Sequence, residues 1–202
     1  MKVKSRADLP KNYREIWSLD LLNDKKELVR VNGFGGALMV LLLLLGHILV
    51  PVSALFDLEN GFLPYALRFG VMLGGTFVYL ILHELVHGVF MYRFSGVRPR
   101  YGFNGVYAYA GSDACFSKTH YIVIALAPVV VWGIVLAVLT ALVPAGWFWP
   151  VWFIQVTNLS GAAGDLYVTW RFAALPADIL VRDSGVAMTV YVPESGEKTT
   201  EV

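Results

Sequence analysis

His83-Glu84-Leu85-Val86-His87 is a His-Glu-x-x-His motif, and it lies inside an apolar run that extends from Phe69 to Tyr92. A run of this length can cross a membrane as a helix. On a helix, residues four positions apart share a face, so His83 and His87 can present two imidazole nitrogens to one metal ion. Ionisable side chains inside a membrane are energetically costly and are usually functional. The stretch therefore predicts a metal site on a membrane-spanning helix.

The composition is that of a polytopic membrane protein. Hydrophobic residues make up 57% of the 202 residues and charged residues only 15%, whereas soluble proteins carry about 25% charged residues. We therefore expect the lipid bilayer to be a partner of the chain. The formal net charge of +1 argues against a nucleic-acid partner. Cys115 is the single cysteine, so the chain forms no internal disulfide.

Four apolar runs predict four membrane-spanning helices, at about 34–56, 69–92, 121–143 and 147–170. We predict an all-α integral membrane protein with a four-helix transmembrane domain at 34–172. A cytoplasmic β-hairpin is expected between the second and third helices. Residues 1–33 are interpreted as a cytoplasmic tail that touches the membrane surface, because they hold too little apolar material for a core of their own. Residues 173–202 are interpreted as a short cytoplasmic tail that contains strands.

Lysine and arginine predict the orientation. Half of these residues precede position 31, and most of the others lie in 93–119 and after position 170. The two remaining loops, 57–66 and 144–147, have none. Because basic residues favour the cytoplasmic side, we expect a multi-pass protein of the cell membrane with both termini in the cytoplasm.

The segment between the second and third apolar runs contains Asn104-Gly105, which is a strong signal for a two-residue hairpin turn. This turn pairs Phe103 with Val106 and Tyr101 with Ala108. Further strands are predicted at 178–182 and 186–192, with a turn between them.

An exposed hairpin edge beside the metal site could bind an extended peptide by strand addition. Tyr101, Phe103 and Tyr107 are therefore candidate substrate-binding residues. The alternative is a hairpin that only covers the ends of the helices, and both interpretations stay open.

A catalytic zinc needs a third protein ligand, and the sequence leaves one candidate. Of the acidic residues that follow the motif, Asp165 alone lies within an apolar run. His87 precedes Arg93 by six residues, and Asp165 precedes Arg171 by six. At the helical rise, both side chains lie about 9 Å inside the basic ends of their helices. We therefore predict a metal ion bound by His83, His87 and Asp165.

Two further residues have predicted roles. Glu84 follows the first ligand directly, where a carboxylate can accept a proton from a water molecule at the metal. Asn158 precedes Asp165 by about two helical turns and shares its face, and we interpret its amide as a hydrogen-bond donor to the substrate backbone. Gly161 and Gly164 either allow a close approach to the motif helix or break their own helix locally.

The motif, together with Asn158 and Asp165 on a later run, resembles the two signatures of the site-2 protease class of intramembrane zinc metalloproteases. From the N-terminal segment to Leu175-Pro176, the chain is similar to a family of small bacterial membrane proteins described as putative zincin peptidases. The resemblance implies zinc bound by His83, His87 and Asp165, with Glu84 as the base and Asn158 near the substrate. Asn158-Leu-Ser-Gly161 and Gly164-Asp165 stand here in place of the class's Asn-x-x-Pro element and Asp-Gly pair.

These observations predict a zinc-dependent intramembrane endopeptidase that cleaves membrane-associated peptides or transmembrane proteins near the cytoplasmic face. One alternative is a catalytically inert zinc-binding adaptor, which Glu84 argues against because structural zinc sites need no base. The other is a metal-ion transporter, which the scarcity of polar residues in the first and third apolar runs argues against.

Overall fold

Helices and strands alternate in blocks along the chain. The computed structural model describes residues 4–20, 23–59, 61–103, 105 and 107–194. The helices are α1 (Lys25–Leu49), α2 (Phe62–Ser95), α3 (Lys118–Leu142), α4 (Ala145–Gly161) and α5 (Ala163–Ala173). A short 3-10 helix, Val52–Phe56, follows α1. The strands are β1 (Tyr13–Leu19), β2 (Arg100–Phe103), β3 (Ala108–Ser117), β4 (Leu180–Asp183) and β5 (Met188–Pro193).

Three helices of the described ranges, α1, α2 and α3, are long and apolar enough to cross a membrane. The prediction of four membrane-spanning helices is therefore wrong. The expected fourth span, 147–170, is divided at Ala162, where the backbone leaves helical geometry between α4 and α5. The nearby Gly161 and Gly164 lower the helix propensity at this point. The break places Asp165 in the first turn of α5, where the helix dipole favours a carboxylate.

The all-α prediction is also wrong, because the strands form one five-stranded antiparallel sheet in the order β1-β5-β4-β3-β2. The sheet combines three distant parts of the chain. β1 precedes α1, the β2–β3 hairpin lies between α2 and α3, and the β4–β5 hairpin follows α5. The C-terminal strands lie close to the predicted runs, and residues 195–202 of the expected tail lie outside the described residues.

The N-terminal segment forms β1 because it shares a core with other segments. Leu19 and Trp17 pack with Val190 of β5 and with Phe172 of α5. Phe172 and Val190 are fully buried. The expectation of a tail at the membrane surface considered only the apolar residues of the segment itself, whereas the partners of β1 come from the opposite end of the chain.

The β2–β3 hairpin forms with a register that differs from the prediction. Tyr101 pairs with Ala110 and Phe103 with Ala108, whereas the sequence predicted partners two positions earlier in the second strand. The predicted turn residue Asn104 and the partner Val106 lie outside the described residues. Because the shift is two residues, each paired side chain keeps its predicted face.

Packing places the sheet against one end of the helices. Within the described part of the chain, α4 contacts α1, α2 and α3, and β3 packs along α2. The sheet and the ends of α2, α3 and α5 share a core of buried residues: Met91, Phe116, Ile124, Phe172, Ile179, Val181 and Val190. The motif half of α2 therefore lies where the helices meet the sheet.

Candidate metal centre

Three side chains from two helices converge at this junction. His83 and His87 come from α2 and Asp165 from the first turn of α5. The two Nε2 atoms lie 3.2 Å apart. Asp165 Oδ2 lies 3.6 Å from Nε2 of His83 and 3.7 Å from Nε2 of His87. Both histidine side chains are 11% exposed and that of Asp165 is 24% exposed, so the two rings are largely buried and the carboxylate is partly accessible.

The outer nitrogens of both rings are occupied by the protein. His87 Nδ1 lies 2.9 Å from the carbonyl oxygen of Ile124. A carbonyl can only accept, so this nitrogen carries the hydrogen and Nε2 of a neutral His87 presents its lone pair. His83 Nδ1 lies 2.8 Å from the hydroxyl of Tyr79. The Nε2 atoms of His83 and His87 and the Asp165 carboxylate therefore face one another as three ligand atoms that one cation can bind.

The donor set fits zinc. Two histidine nitrogens and one carboxylate oxygen are a common catalytic zinc set, with ligand distances of about 2.0–2.2 Å. A tetrahedral ion at these distances separates its ligand atoms by about 3.3–3.5 Å. The observed separations of 3.2, 3.6 and 3.7 Å bracket this range. The three candidate ligand atoms all lie within 4.8 Å of one another.

Glu84 lies beside this centre, at the edge of a cavity of about 600 Å³. The backbone N–H of Ala110 on β3 hydrogen-bonds the Glu84 carboxylate, so the sheet orients this side chain. The walls of the cavity come from all five helices, from the end of β1, from the β2–β3 hairpin and from the β4–β5 turn. His83, His87 and Asp165 also line it, so a molecule in the cavity reaches the metal site and Glu84 together.

Residues 76–180 match a family described as putative zincin peptidases. The match covers more than half of the 202 residues and includes the motif, the β2–β3 hairpin and Asp165. The chain belongs to this zincin family. Comparison with curated proteins and with solved structures gave no significant match. The family assignment indicates a metallopeptidase that uses zinc, and the resemblance to site-2 proteases stays a prediction.

Three candidate substrate-binding residues of this zincin lie on or beside the β2–β3 hairpin, two of them lining the cavity and one against α2. Phe103 and Tyr107 line the cavity, and the Phe103 side chain is 69% exposed. Tyr101 crosses α2 at Gly88, where a Cβ atom would lie only 1.9 Å from the Tyr101 hydroxyl. Burial, and then the charge of Glu84, raise the pKa of Tyr101. The glycine after the motif therefore allows this phenol to lie against the helix near Glu84.

Asn158 occupies a different environment from the one that the sequence predicted. Its side chain is fully buried, and it is not among the described residues that line the cavity. Its Oδ1 accepts a hydrogen bond of 2.9 Å from the Tyr79 hydroxyl. The structure thus links Asn158 to His83 through Tyr79.

Sequence reasoning missed two groups at the centre. Tyr79 lies four residues before His83, and this helical spacing was a signal that could have identified it. Asp183 lines the cavity from the end of β4 and accepts a hydrogen bond from the Tyr121 hydroxyl. Burial raises the pKa of Asp183. Its sequence position, in an apparent turn of a tail, carried no signal for this location.

Proposed function

We propose that this zincin is a zinc-dependent endopeptidase of the membrane, which hydrolyses peptide bonds of membrane-associated substrates near the cytoplasmic face. The observation that carries the proposal is the convergence of His83, His87 and Asp165 next to Glu84 at an accessible cavity. Structural zinc sites are closed by four protein ligands, whereas catalytic sites combine three ligands with an open position. Three ligands and an adjacent carboxylate match the catalytic arrangement.

In this mechanism, His83, His87 and Asp165 hold the metal. Zinc, when bound, supplies Lewis-acid chemistry that acidifies a water molecule and polarises a carbonyl. Glu84 accepts the proton of the attacking water and passes it to the leaving amine. The Ala110 N–H on β3 contacts the Glu84 carboxylate. General acid–base catalysis of this kind contributes about 10²–10⁴-fold to the rate.

The sheet supports a location of the site near one membrane face. β1, the β2–β3 hairpin and the β4–β5 hairpin belong to one sheet, which supports our proposal that the segments before α1, between α2 and α3, and after α5 share one side of the bilayer. These segments and the adjoining ends of the helices carry all the lysines and arginines but one, which favours the cytoplasm. Arg68 is the exception, but it is only 5% exposed and donates to the carbonyls of Ala54 and Asp57.

The hairpin supports a peptide substrate. β2 is an end strand of the sheet, and its outer edge has no strand partner within the described ranges. An extended segment can add to such an edge through backbone hydrogen bonds. Extension is also required for cleavage, because a helix engages its carbonyls in internal hydrogen bonds. Tyr101 and Phe103 lie on this strand, and we propose that they contact the substrate.

The test uses Glu84→Gln in the purified full chain in detergent. Zinc content should stay at about one ion per chain, because three ligands remain, while cleavage of a membrane-anchored peptide falls by about 10²–10⁴-fold. Glu59→Gln is the matched control, since Glu59 is exposed in the loop before α2, and it should retain activity. Undiminished cleavage by Glu84→Gln would refute the mechanism. Zinc transport by wild-type protein in vesicles, without peptide cleavage, would favour a transporter instead.

A further inference from the structure

A chain of buried polar side chains extends from the interior of the helices to the metal centre. Gln155 and Asn158 on α4 and Tyr79 on α2 are 7%, 0% and 5% exposed. Asn158 contacts both Gln155 and Tyr79, and Tyr79 contacts His83. Buried polar groups are stable only when their hydrogen bonds are satisfied. A buried path of this kind that ends on a metal ligand requires an explanation.

The direction of each hydrogen bond follows from the neighbours of Asn158. Its Nδ2 faces two acceptors, the carbonyl of Val129 at 3.3 Å and Oε1 of Gln155 at 3.4 Å. The opposite atom, Oδ1, is therefore the oxygen that faces Tyr79. The Tyr79 hydroxyl donates to it, so the hydroxyl oxygen is left to accept from Nδ1 of His83. This arrangement holds the hydrogen of His83 on Nδ1 and leaves the lone pair on Nε2.

We propose that Tyr79 and Asn158 are positioning residues that fix the tautomer and ring orientation of His83 for metal binding. The inference rests on the metal centre of the proposed function. His87 obtains the same orientation from a backbone carbonyl, whereas His83 depends on side chains of α2 and α4. Partners of this kind orient metal-bound histidines, and their loss weakens metal affinity or activity by about 10–100-fold. The buried amide of Asn158 directs its hydrogens at the protein, which agrees with a positioning role.

The principal test is Tyr79→Phe in the full chain. Phenylalanine keeps the ring that packs against Trp132 and His83 and removes only the hydroxyl. We expect the dissociation constant for zinc, measured by competition with a chromophoric chelator, to rise by about 10–100-fold. The visible absorption of the cobalt-substituted protein should also shift, because the ring of one ligand is no longer held. Tyr92→Phe is the matched control, since Tyr92 is on the same helix and is 54% exposed.

A double-mutant cycle separates positioning from packing. If Asn158 acts through Tyr79, then Tyr79→Phe combined with Asn158→Ala should weaken zinc binding no more than the stronger single substitution. Ser160→Ala is the control on α4, because the Ser160 hydroxyl donates to the Val156 carbonyl of its own helix. A purely structural role predicts a lower thermal midpoint with unchanged zinc affinity and an unchanged cobalt spectrum, and that result would overturn the proposal.

A measurement on the wild-type protein needs no substitution. In zinc-loaded protein with ¹⁵N-labelled histidine, the nitrogen shifts should show His83 protonated at Nδ1, and protonation at Nε2 would overturn the proposal. Failure of the inference is distinct from failure of the proposed function. Wild-type protein that binds no zinc would refute the metal centre itself. Wild-type protein that binds zinc with the same affinity as Tyr79→Phe would refute only the positioning role.

Discussion

Gly111→Ala tests the contact between the β2–β3 hairpin and the C-terminal strands. Gly111 is a buried residue of β3. A Cβ atom at this position would lie 2.2 Å from the carbonyl oxygen of Ser184 and 2.6 Å from the backbone nitrogen of Gly185. Both are backbone atoms of the β4–β5 turn, which cannot rotate away as a side chain can. The turn must instead move as a unit.

The size of the effect follows from this overlap. Ordinary contact begins at 3.4 Å, so the turn must withdraw by about 1.2 Å, the difference from 2.2 Å. Internal hydrogen bonds resist this movement: Gly185 N–H donates to Asp183 at 2.8 Å, and Ser184 N–H donates to Ala187 O at 3.0 Å. Overpacking of a buried site costs about 1–3 kcal/mol, and a backbone obstacle favours the upper end of that range. A loss of about 3 kcal/mol lowers Tm by roughly 6–12 °C in a chain of this size.

The assay is thermal unfolding of the purified protein in detergent, with zinc content measured on the same sample. Zinc should be retained, because the ligands lie on α2 and α5 rather than on the turn. Gly36→Ala on α1 is the control. A Cβ there meets nothing within 4 Å, so the change should stabilise the helix by about 0.5–1 kcal/mol. An unchanged Tm in Gly111→Ala would refute the packing of β3 against the turn.

Three further predictions concern the site. Asp165→Ala should reduce the zinc content of the protein. Asp178 is an exposed carboxylate of the C-terminal segment, so Asp178→Ala should leave the zinc content unchanged. Equal zinc content in the two variants would show that Asp165 is not a ligand. Gly88→Ala should displace the Tyr101 hydroxyl, because the new Cβ would lie 1.9 Å from it, and should lower kcat/KM by up to about 10²-fold. Gly74→Ala on the same helix meets open space and should be active, so equal activities would show that Tyr101 does not matter. Burial raises the pKa of Asp183 above the ordinary aspartate value of 3.8. The protonated carboxyl therefore stabilises the folded protein fully below pH 3.8, and this stabilisation is lost as the pH rises through the raised pKa. Asp183→Asn should flatten the dependence of Tm on pH in this acidic range. An unaltered profile would show that Asp183 does not cause the dependence.

Local sequence patterns were sufficient to predict features that depend on one short segment of the chain. The helical spacing of His83 and His87 places both rings on one face whatever surrounds them. Asp165 could be selected because an isolated carboxylate in an apolar run needs a partner. The glycines at 161 and 164 indicated a local break as one of two alternatives, and the structure has the break. Tyr79 was within reach of the same helical argument that paired the histidines.

Other features depend on distant partners and gave no local signal. β1 is stable only because β5, some 170 residues later, completes its pairing and its core. The hairpin register also differs from the one that the turn signal predicted, and it is held by packing of the hairpin against other segments. Tyr109, for example, lies against Gly102 and Gly185. Asp183 reaches the cavity only because β4 pairs with β3.

The sequence by itself determined that the chain carries a two-histidine metal motif in an apolar helix and one isolated acidic residue in a later apolar run. These inferences follow from helical periodicity and from the energetic cost of burying charge, and both act within a few turns of one helix. Only the tertiary structure decided that the motif adjoins a five-stranded sheet, that β3 contacts Glu84 through Ala110, and that Asn158 of α4 reaches His83 through Tyr79. Each of these contacts joins segments far apart in the chain, so its energy depends on how the whole molecule packs.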